Sequence, residues 1–333
     1  MENLEINKFW QDKRVFVTGA SGLVGGWLVE KLLSYGADVV VLLRDWVPGS
    51  RLISSKFFEK VTVVRGDLSD LIKLERIIAE YEIQSVIHLA AQTIVPIANK
   101  NPLSTLESNI SGTWNLLEAC RKVKSLSSIV IASSDKAYGD ALELPYKETM
   151  SLRAIYPYDV SKACADMISV SYAKTFDMPI AITRCGNFFG GGDLNWNRII
   201  PGTIRSIIRN KPPVIRSDGK LIRDYIYVED AVSAYMTLTQ AISLNPELKG
   251  EAFNFSNETQ KTVLDLTKTI INLFGSTLEP VIQGQKHGEI QAQYLDSSKA
   301  IKVLGWKPKF SLEEGLKKTI NWYKNYLETK YHA

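Results

Sequence analysis

The chain has 333 residues, 45% of them hydrophobic, enough for one large domain or two coupled ones around a substantial core. Its formal charge of +4 comes without a basic block, which argues against a nucleic-acid partner, and no apolar run approaches the ~18 residues of a membrane span. With no signal-peptide pattern and three cysteines (Cys120, Cys164, Cys185) in apolar segments without C-x-x-C spacing, the expectation is a soluble cytoplasmic protein with buried free thiols.

In chain order, the first element is Arg14-Val-Phe-Val-Thr18, a short buried strand. It runs through Gly19-Ala-Ser21-Gly22-Leu23-Val24-Gly25 into an amphipathic helix. Strand, glycine-rich turn and helix start let backbone approach a pyrophosphate and offer it free N–H groups. The G-x-x-G-x-x-G spacing departs from the usual G-x-G-x-x-G, and a glycine triplet alone would be no more than a tight turn. The next strand, 38–43, ends in Arg44-Asp45. An acidic residue there binds a ribose diol and an arginine accommodates a 2′-phosphate, so both NAD and NADP stay open, with Arg44 leaning to NADP. A strand over 61–64 leads to Asp67-Leu68, where Asp67 is placed to meet an adenine amino group. The strand from Ser85 passes His88 and closes on Leu89-Ala90-Ala91, small residues that let backbone pass close to a cofactor. His88 is expected to pack rather than react, and with His287 and His332 it is too scattered to hold a metal.

A long helix is expected over 103–124, then a strand ending at Ser134, a helix over 156–176 and a strand at 180–183. Tyr158 and Lys162 stand four apart on the second helix and share one face. An ammonium beside a phenol favours the phenolate; bringing the phenol from roughly 10 to near 7 asks for about 4 kcal/mol, which one lysine together with an oxidised, positively charged nicotinamide is expected to supply. With Ser134 at the carboxyl edge of its strand, Ser, Tyr and Lys form a set for removing the proton of an alcohol. A lone Y-x-x-x-K is more often a surface pair; the glycine turn is what reverses that reading. Six strands alternating with helices predict an α/β, Rossmann-type doubly wound parallel sheet, with the ligand across its strands' carboxyl ends. The expected division is 1–185 for the dinucleotide domain and 186–333 for a smaller C-terminal α/β substrate lobe, partly interleaved with it. Arg198, Arg216 and Arg223 come from separate elements of that lobe, as a diphosphate clamp requires. Asn187 and Glu289 complete the candidate substrate set, while Arg209 reads as a surface arginine.

Thr18-Gly-x-x-Gly-x-x-Gly25, Ser134, Tyr158-x-x-x-Lys162 and Arg223-Asp-Tyr-Ile-Tyr-Val-Glu-Asp230 together resemble the extended short-chain dehydrogenases/reductases that act on nucleotide sugars. Ser134-Asp135-Lys136 is similar to the signature of the nucleotide-sugar 4,6-dehydratases. Lysine in the third place, Phe9-Trp10, and the Gly186-Asn-x-x-Gly-Gly-Gly-Asp193 segment are most similar to the CDP-glucose enzymes; Arg44 and Ser50-Arg51 resemble the GDP-mannose enzymes, which use NADP. The resemblance implies an NAD(P)-dependent lyase and a homodimer or homotetramer paired through helices 103–124 and 156–176. It further implies that Tyr158 takes the proton of the sugar 4-OH while Ser134 bonds that oxygen. Lys162 then holds the cofactor ribose, Lys136 removes the C5 proton and Asp135 protonates the departing 6-OH. Two other readings compete: a 4-epimerase or 4-reductase needing only Ser, Tyr and Lys, and a catalytically silent NAD(P)-sensing protein.

Overall fold

The structure, a computed structural model, describes residues 8–141, 143–285 and 290–331; His287, Glu289 and His332 lie outside them. Three strands open the fold: β1 (Arg14–Thr18), β2 (Asp38–Leu43) and β3 (Thr62–Arg65). They continue with β4 (Ser85–His88), β5 (Ser128–Ala132) and β6 (Ile180–Cys185). Their order across the sheet is β3-β2-β1-β4-β5-β6 and every pairing is parallel. This is the doubly wound order, which reverses direction between β1 and β4 and opens a crevice there. The sheet has seven strands where the sequence predicts six. The extra one, Ala252–Phe255, pairs with β6 from residues well past 186, so both halves of the chain build this sheet.

Both faces of the sheet are covered, which is why its strands read as unbroken apolar runs. Successive side chains alternate in direction. Val15, Val17, Val39, Val41, Ile87 and Val130 join a core with helix α1 (Leu23–Ser34) and a helix over Val228–Leu244. Phe16, Val40, Leu42, Val86, Ile129 and Ile131 face α2 (Leu71–Glu80) and α3 (Gly112–Arg121) instead. The expected helix over 103–124 is present but not uniform: Glu107–Ser111 form a π-helical turn ahead of α3. Beside it lies α4 (Pro157–Phe176), which carries Tyr158 and Lys162. The C-terminal half adds a smaller sheet around a strand at Ile222–Tyr227, paired with Asn187–Phe189, Gln260–Thr262 and Ala292–Gln293. Cys120 and Cys185 are buried free thiols as expected, whereas Cys164 is partly exposed.

Behind the crevice sits a buried ion pair. Arg184 Nε and Nη2 donate to the two oxygens of Asp166 at 2.8 and 2.9 Å, and Nη1 donates to Tyr138 Oη at 3.0 Å. Removing one member strands a charge in apolar surroundings, whereas removing both is far milder. Asp166→Ala is therefore expected to cost about 3–5 kcal/mol of stability, read as a lowered urea midpoint. The double replacement Arg184→Met with Asp166→Leu should recover most of that loss.

Candidate active site

One cleft runs along the carboxyl ends of the strands. Its volume of about 2130 Å³ exceeds the ~300–1,000 Å³ usual for a single small-molecule site, leaving room for two nucleotide-sized ligands. Every described residue singled out from the sequence lines it: the turn Gly19, Ser21 to Gly25, then Arg44, Asp45, Asp67, Leu68, Leu89, Ala90 and Ala91 at one end. Ser134, Asp135, Lys136, Tyr158 and Lys162 line its middle, and Asn187, Arg198, Arg216 and Arg223 line it on the side of the C-terminal half.

The glycine turn is built by close backbone approach. Gly19 has φ +74°, and a Cβ there would lie 2.6 Å from Ala90 N. At Gly25 a Cβ would lie 2.1 Å from Gly19 O, so α1 can start this near β1 only without a side chain. No side chain caps α1, so its first-turn N–H groups are left to whatever occupies the cleft. That arrangement fits a dinucleotide pyrophosphate. Below the turn, His88 locks β4 to β1 and α3. Thr18 Oγ1 lies 2.7 Å from His88 Nδ1, and His88 Nε2 lies 3.2 Å from Thr113 Oγ1, whose own hydroxyl donates to Asn109 O at 2.6 Å. That chain makes Nε2 the protonated nitrogen. Burial first, and then Lys162, lower the imidazole to about 3, so His88 is a neutral packing residue.

Arg44 does not stand clear to receive a phosphate. Its Nε donates to Asp45 Oδ2 at 2.7 Å, and Asp67 Oδ2 is 3.9 Å away. Two carboxylates thus flank the single guanidinium at the end of β2.

The central cluster is almost closed to solvent. Ser134 Oγ donates to Asp135 Oδ1 at 2.8 Å and accepts from Lys136 N at 3.2 Å. Asp135 is 2% exposed, and its second oxygen is buried with no hydrogen-bond partner. Such an orphan in a cleft is an acceptor waiting for a ligand group. Lys136 Nζ donates to Gln293 Oε1. Lys162 Nζ donates to Ala132 O at 2.8 Å, and burial lowers its ammonium from 10.5 to about 8.

Tyr158 corrects an expectation. Burial first, then Asp135, push its phenol above the ordinary value, outweighing the lowering by Arg198 and by a hydrogen bond with Ser134. Lys162, expected to hold it ionised, is not among these causes; its amine is engaged with the β5 carbonyl instead. The phenol is accordingly protonated, and any ionisation during turnover must be driven by positive charge that arrives with a ligand.

The arginines differ from one another. Arg223 is buried and donates to the carbonyls of Ile222 and Gln291 at 2.8 and 3.4 Å. Arg198 bonds Asp193 at 3.0 Å and Thr93 at 3.2 Å, and Arg216 bonds Asn197 at 2.8 Å. They reach one cleft, but each arrives with partners of its own.

Sequence reasoning missed Gln293, which holds Lys136, and Asp224, whose carboxyl burial raises to about 7 against hydrogen bonds from Ser256 and Leu295 N. It also missed Asn109, whose Nδ2 ties Gln92 O to Ser161 Oγ at 3.0 and 2.8 Å. All three contacts join residues far apart in the chain, where no local spacing announces them. Among the described residues no group of three or more His, Cys, Asp or Glu could hold a metal, and no helix is long and apolar enough to cross a membrane.

Comparisons with known proteins agree with this geometry. The family model described as GDP-mannose 4,6 dehydratase matches residues 16–319. The chain is 32% identical to a CDP-glucose 4,6-dehydratase of Salmonella typhimurium, over 96% of this chain and 92% of the other. Among solved structures it is similar to a dTDP-glucose 4,6-dehydratase of Bacillus anthracis in complex with NAD, with a TM-score of 0.83 at 26% identity, covering 95% of this chain and 98% of that one. It is also similar to a UDP-glucose 4-epimerase of Thermotoga maritima with UDP-glucose, with a TM-score of 0.85 at 28% identity, covering 94% and 99%.

A nicotinamide cofactor is the ligand this cleft fits. The resemblance assigns Lys162 to its ribose; on that expectation the ammonium form, which dominates below about 8, carries the contact and is lost as pH rises through that value. Dinucleotide affinity should therefore weaken above it, by up to about tenfold per pH unit. Fluorescence titration on both sides of that pH checks this, and Lys162→Met should bind weakly with the dependence flattened.

Proposed function

The chain belongs to the GDP-mannose 4,6-dehydratase family, within the extended short-chain dehydrogenases/reductases that include the nucleotide-sugar 4,6-dehydratases, and we propose that it converts a nucleoside-diphosphate hexose to the 4-keto-6-deoxy sugar with net loss of one water. A hexose of the CDP-glucose type is the favoured substrate, on the strength of the Salmonella typhimurium relative, with GDP-mannose the competing one. The observation that carries the reading is Asp135 with Lys136, an acid and a base side by side in the cleft next to Ser134 and Tyr158.

The residues act in sequence. Tyr158 accepts the proton of the 4-OH while Ser134 donates to the same oxygen, fixing the C4–O bond. The bound nicotinamide supplies a hydride acceptor at C4 that becomes the hydride donor to C6 within the same turnover. With C4 a ketone, the C5 hydrogen is acidic; Lys136 takes that proton, and the electron pair moves into the C5–C6 bond. The C6–O bond breaks as Asp135 gives its proton to the departing hydroxyl, releasing water. A proton returned by Lys136 to C5 completes the product. Asp135 acts here as an acid and Lys136 as a neutral amine.

For the cofactor, the flanking of Arg44 by Asp45 and Asp67 supports NAD over the NADP that Arg44 alone suggested. A 2′-phosphate would meet two carboxylates, whereas a diol would be accepted by Asp45. The prediction is that wild-type protein binds NAD more tightly than NADP. Asp45→Ala, which frees Arg44, should narrow that gap mainly by strengthening NADP; an unchanged ratio would remove Asp45 as the discriminator.

A homodimer is the proposed assembly, alone or as half of a tetramer. Leu103, Trp114 and Met167 are 64%, 44% and 63% exposed on the two helical stretches expected to pair with a second copy. Apolar side chains so exposed on neighbouring helices are the material of a helix-bundle interface.

The second reading, a 4-epimerase, is favoured by the Thermotoga maritima likeness. Deuterium oxide separates the two. Elimination exchanges the C5 proton with solvent, so a dehydratase product carries deuterium at C5, while epimerisation leaves the C5–H bond intact. Tyr158→Phe should lower turnover by about 10²–10⁴-fold with the fold retained. Lys136→Met should still reduce bound cofactor in a single turnover yet incorporate no deuterium. Conversion of a nucleotide hexose by wild-type enzyme without C5 label would transfer the assignment to epimerase.

A further inference from the structure

Gln293 reaches from the C-terminal half of the chain into hydrogen-bond contact with the Asp135–Lys136 pair. It lies in a two-residue strand, Ala292–Gln293, that runs parallel to Ile222–Tyr227 with Gln293 opposite Arg223. The side chain is fully buried. Its Oε1 accepts from Lys136 Nζ, a residue 157 positions earlier, while its Nε2 is buried without a hydrogen-bond partner. Tyr146 also lies close enough for its hydroxyl to feel this amide. Burying a primary amide with its donor imperfectly matched costs stability that a leucine or methionine of similar size would avoid, and the contact with Lys136 gives the polar side chain a role there.

We propose that Gln293 is a positioning residue for Lys136: it accepts one N–H of the amine and so aims the nitrogen lone pair at C5 of the sugar. This rests on the reading of Lys136 as the C5 base. The chemistry of the partner matters as much as its place. A carboxylate in the same position would form an ion pair and hold the lysine as an ammonium, which cannot accept a proton. A neutral amide oxygen orients the amine without adding a negative charge beside it. Misplacing a reacting group by about 1 Å can cost on the order of 10²-fold in rate, so an acceptor fixed in a strand gives the amine a defined direction. The ladder pairing also sets Gln293 beside Arg223 on the neighbouring strand, so the candidate phosphate ligand and the residue that aims the base are tied through two adjacent strands.

The test resolves the reaction into its steps. Gln293→Met keeps the volume and removes the acceptor; Gln293→Glu keeps the shape and adds a charge. In both, single-turnover reduction of bound cofactor by a nucleotide hexose should proceed within about twofold of wild type, since Tyr158 and Ser134 are untouched. The rate of C5 deuterium incorporation should fall by about 10–10²-fold, with KM little changed. A merely structural role would slow both steps together or spare both, and either result overturns the proposal. If Gln293→Met does not fold, Gln293→Glu carries the same comparison with nearly the same shape. If Lys136→Met itself keeps C5 exchange, it is the assignment of the base that fails. Loss of exchange in Lys136→Met but normal exchange in both Gln293 variants refutes the positioning role alone.

Discussion

The close passage of the Gly19 backbone over the end of β4 is the constraint on which the rest of this molecule depends. A side chain at Gly19 would collide with the backbone at Leu89–Ala90, and one at Gly25 with Gly19 itself. Only with both positions bare can the turn fold down between β1 and β4, where the strand order reverses. That descent brings the open start of α1 to the cleft and leaves the ends of β4 and β5 free to line it. Thr18 and His88, bonded across the same two strands, keep this geometry rigid from below. The catalytic candidates just past β5 and on α4 are placed by the same sheet, in which β5 lies directly beside β4.

Around the candidate catalytic pair, the protein leaves several buried polar atoms unmatched. Asp135 Oδ2, Gln293 Nε2 and Asp224 Oδ1 are all buried without a hydrogen bond; the other such atoms among the described residues are Trp10 Nε1 and Asn257 Oδ1. Asp224 is raised to about 7 by burial, and Asp135 adds to that rise, so the two carboxylates feel one another. Unmatched groups of this kind weaken a core, and they concentrate where a ligand or a proton must be received. Here they gather around Asp135 and Lys136, where elimination would be carried out.

Most of the fold was legible because parallel strands buried on both faces leave a strong local signature. Arg14–Thr18 and Asp38–Leu43 have the same bounds in sequence and structure, since each is an apolar run bounded by charge or glycine. Ala252–Phe255 escaped notice: four residues flanked by a helix and a polar turn carry too short a pattern to separate from the surrounding lobe. The site divides the same way. Tyr158 and Lys162 are four apart on one helix and declare themselves, whereas Gln293 meets Lys136 only because parallel strand pairing brings Ala292–Gln293 beside Arg223. The balance of forces on the tyrosine is less legible for a related reason. Spacing shows that Lys162 is near, but desolvation of the phenol is set by neighbours from several elements.

The division between dehydration and epimerisation does not lie in the fold, since solved enzymes of both kinds superimpose on this chain equally well. On the proposed reading, oxidation at C4 would use Ser134 and Tyr158 in either case. The fate of the ketone would be decided by the groups beside C5 and C6, and a cleft lined only by small residues there would leave the intermediate nothing to do but rotate and be reduced. In the proposed dehydratase Asp135 and Lys136 would supply an acid and a base at that place, giving the ketone a route to lose water before it is reduced again. A lysine base imposes its own requirement, because an ammonium is inert as a base and a free, flexible amine is poorly aimed. A neutral acceptor such as Gln293 answers both conditions together: it fixes one N–H without supplying the charge that would hold the proton on. If Lys136 is the base, the specificity of the proposed reaction turns on the protonation and direction of one nitrogen, to which a residue from the opposite half of the chain supplies an acceptor.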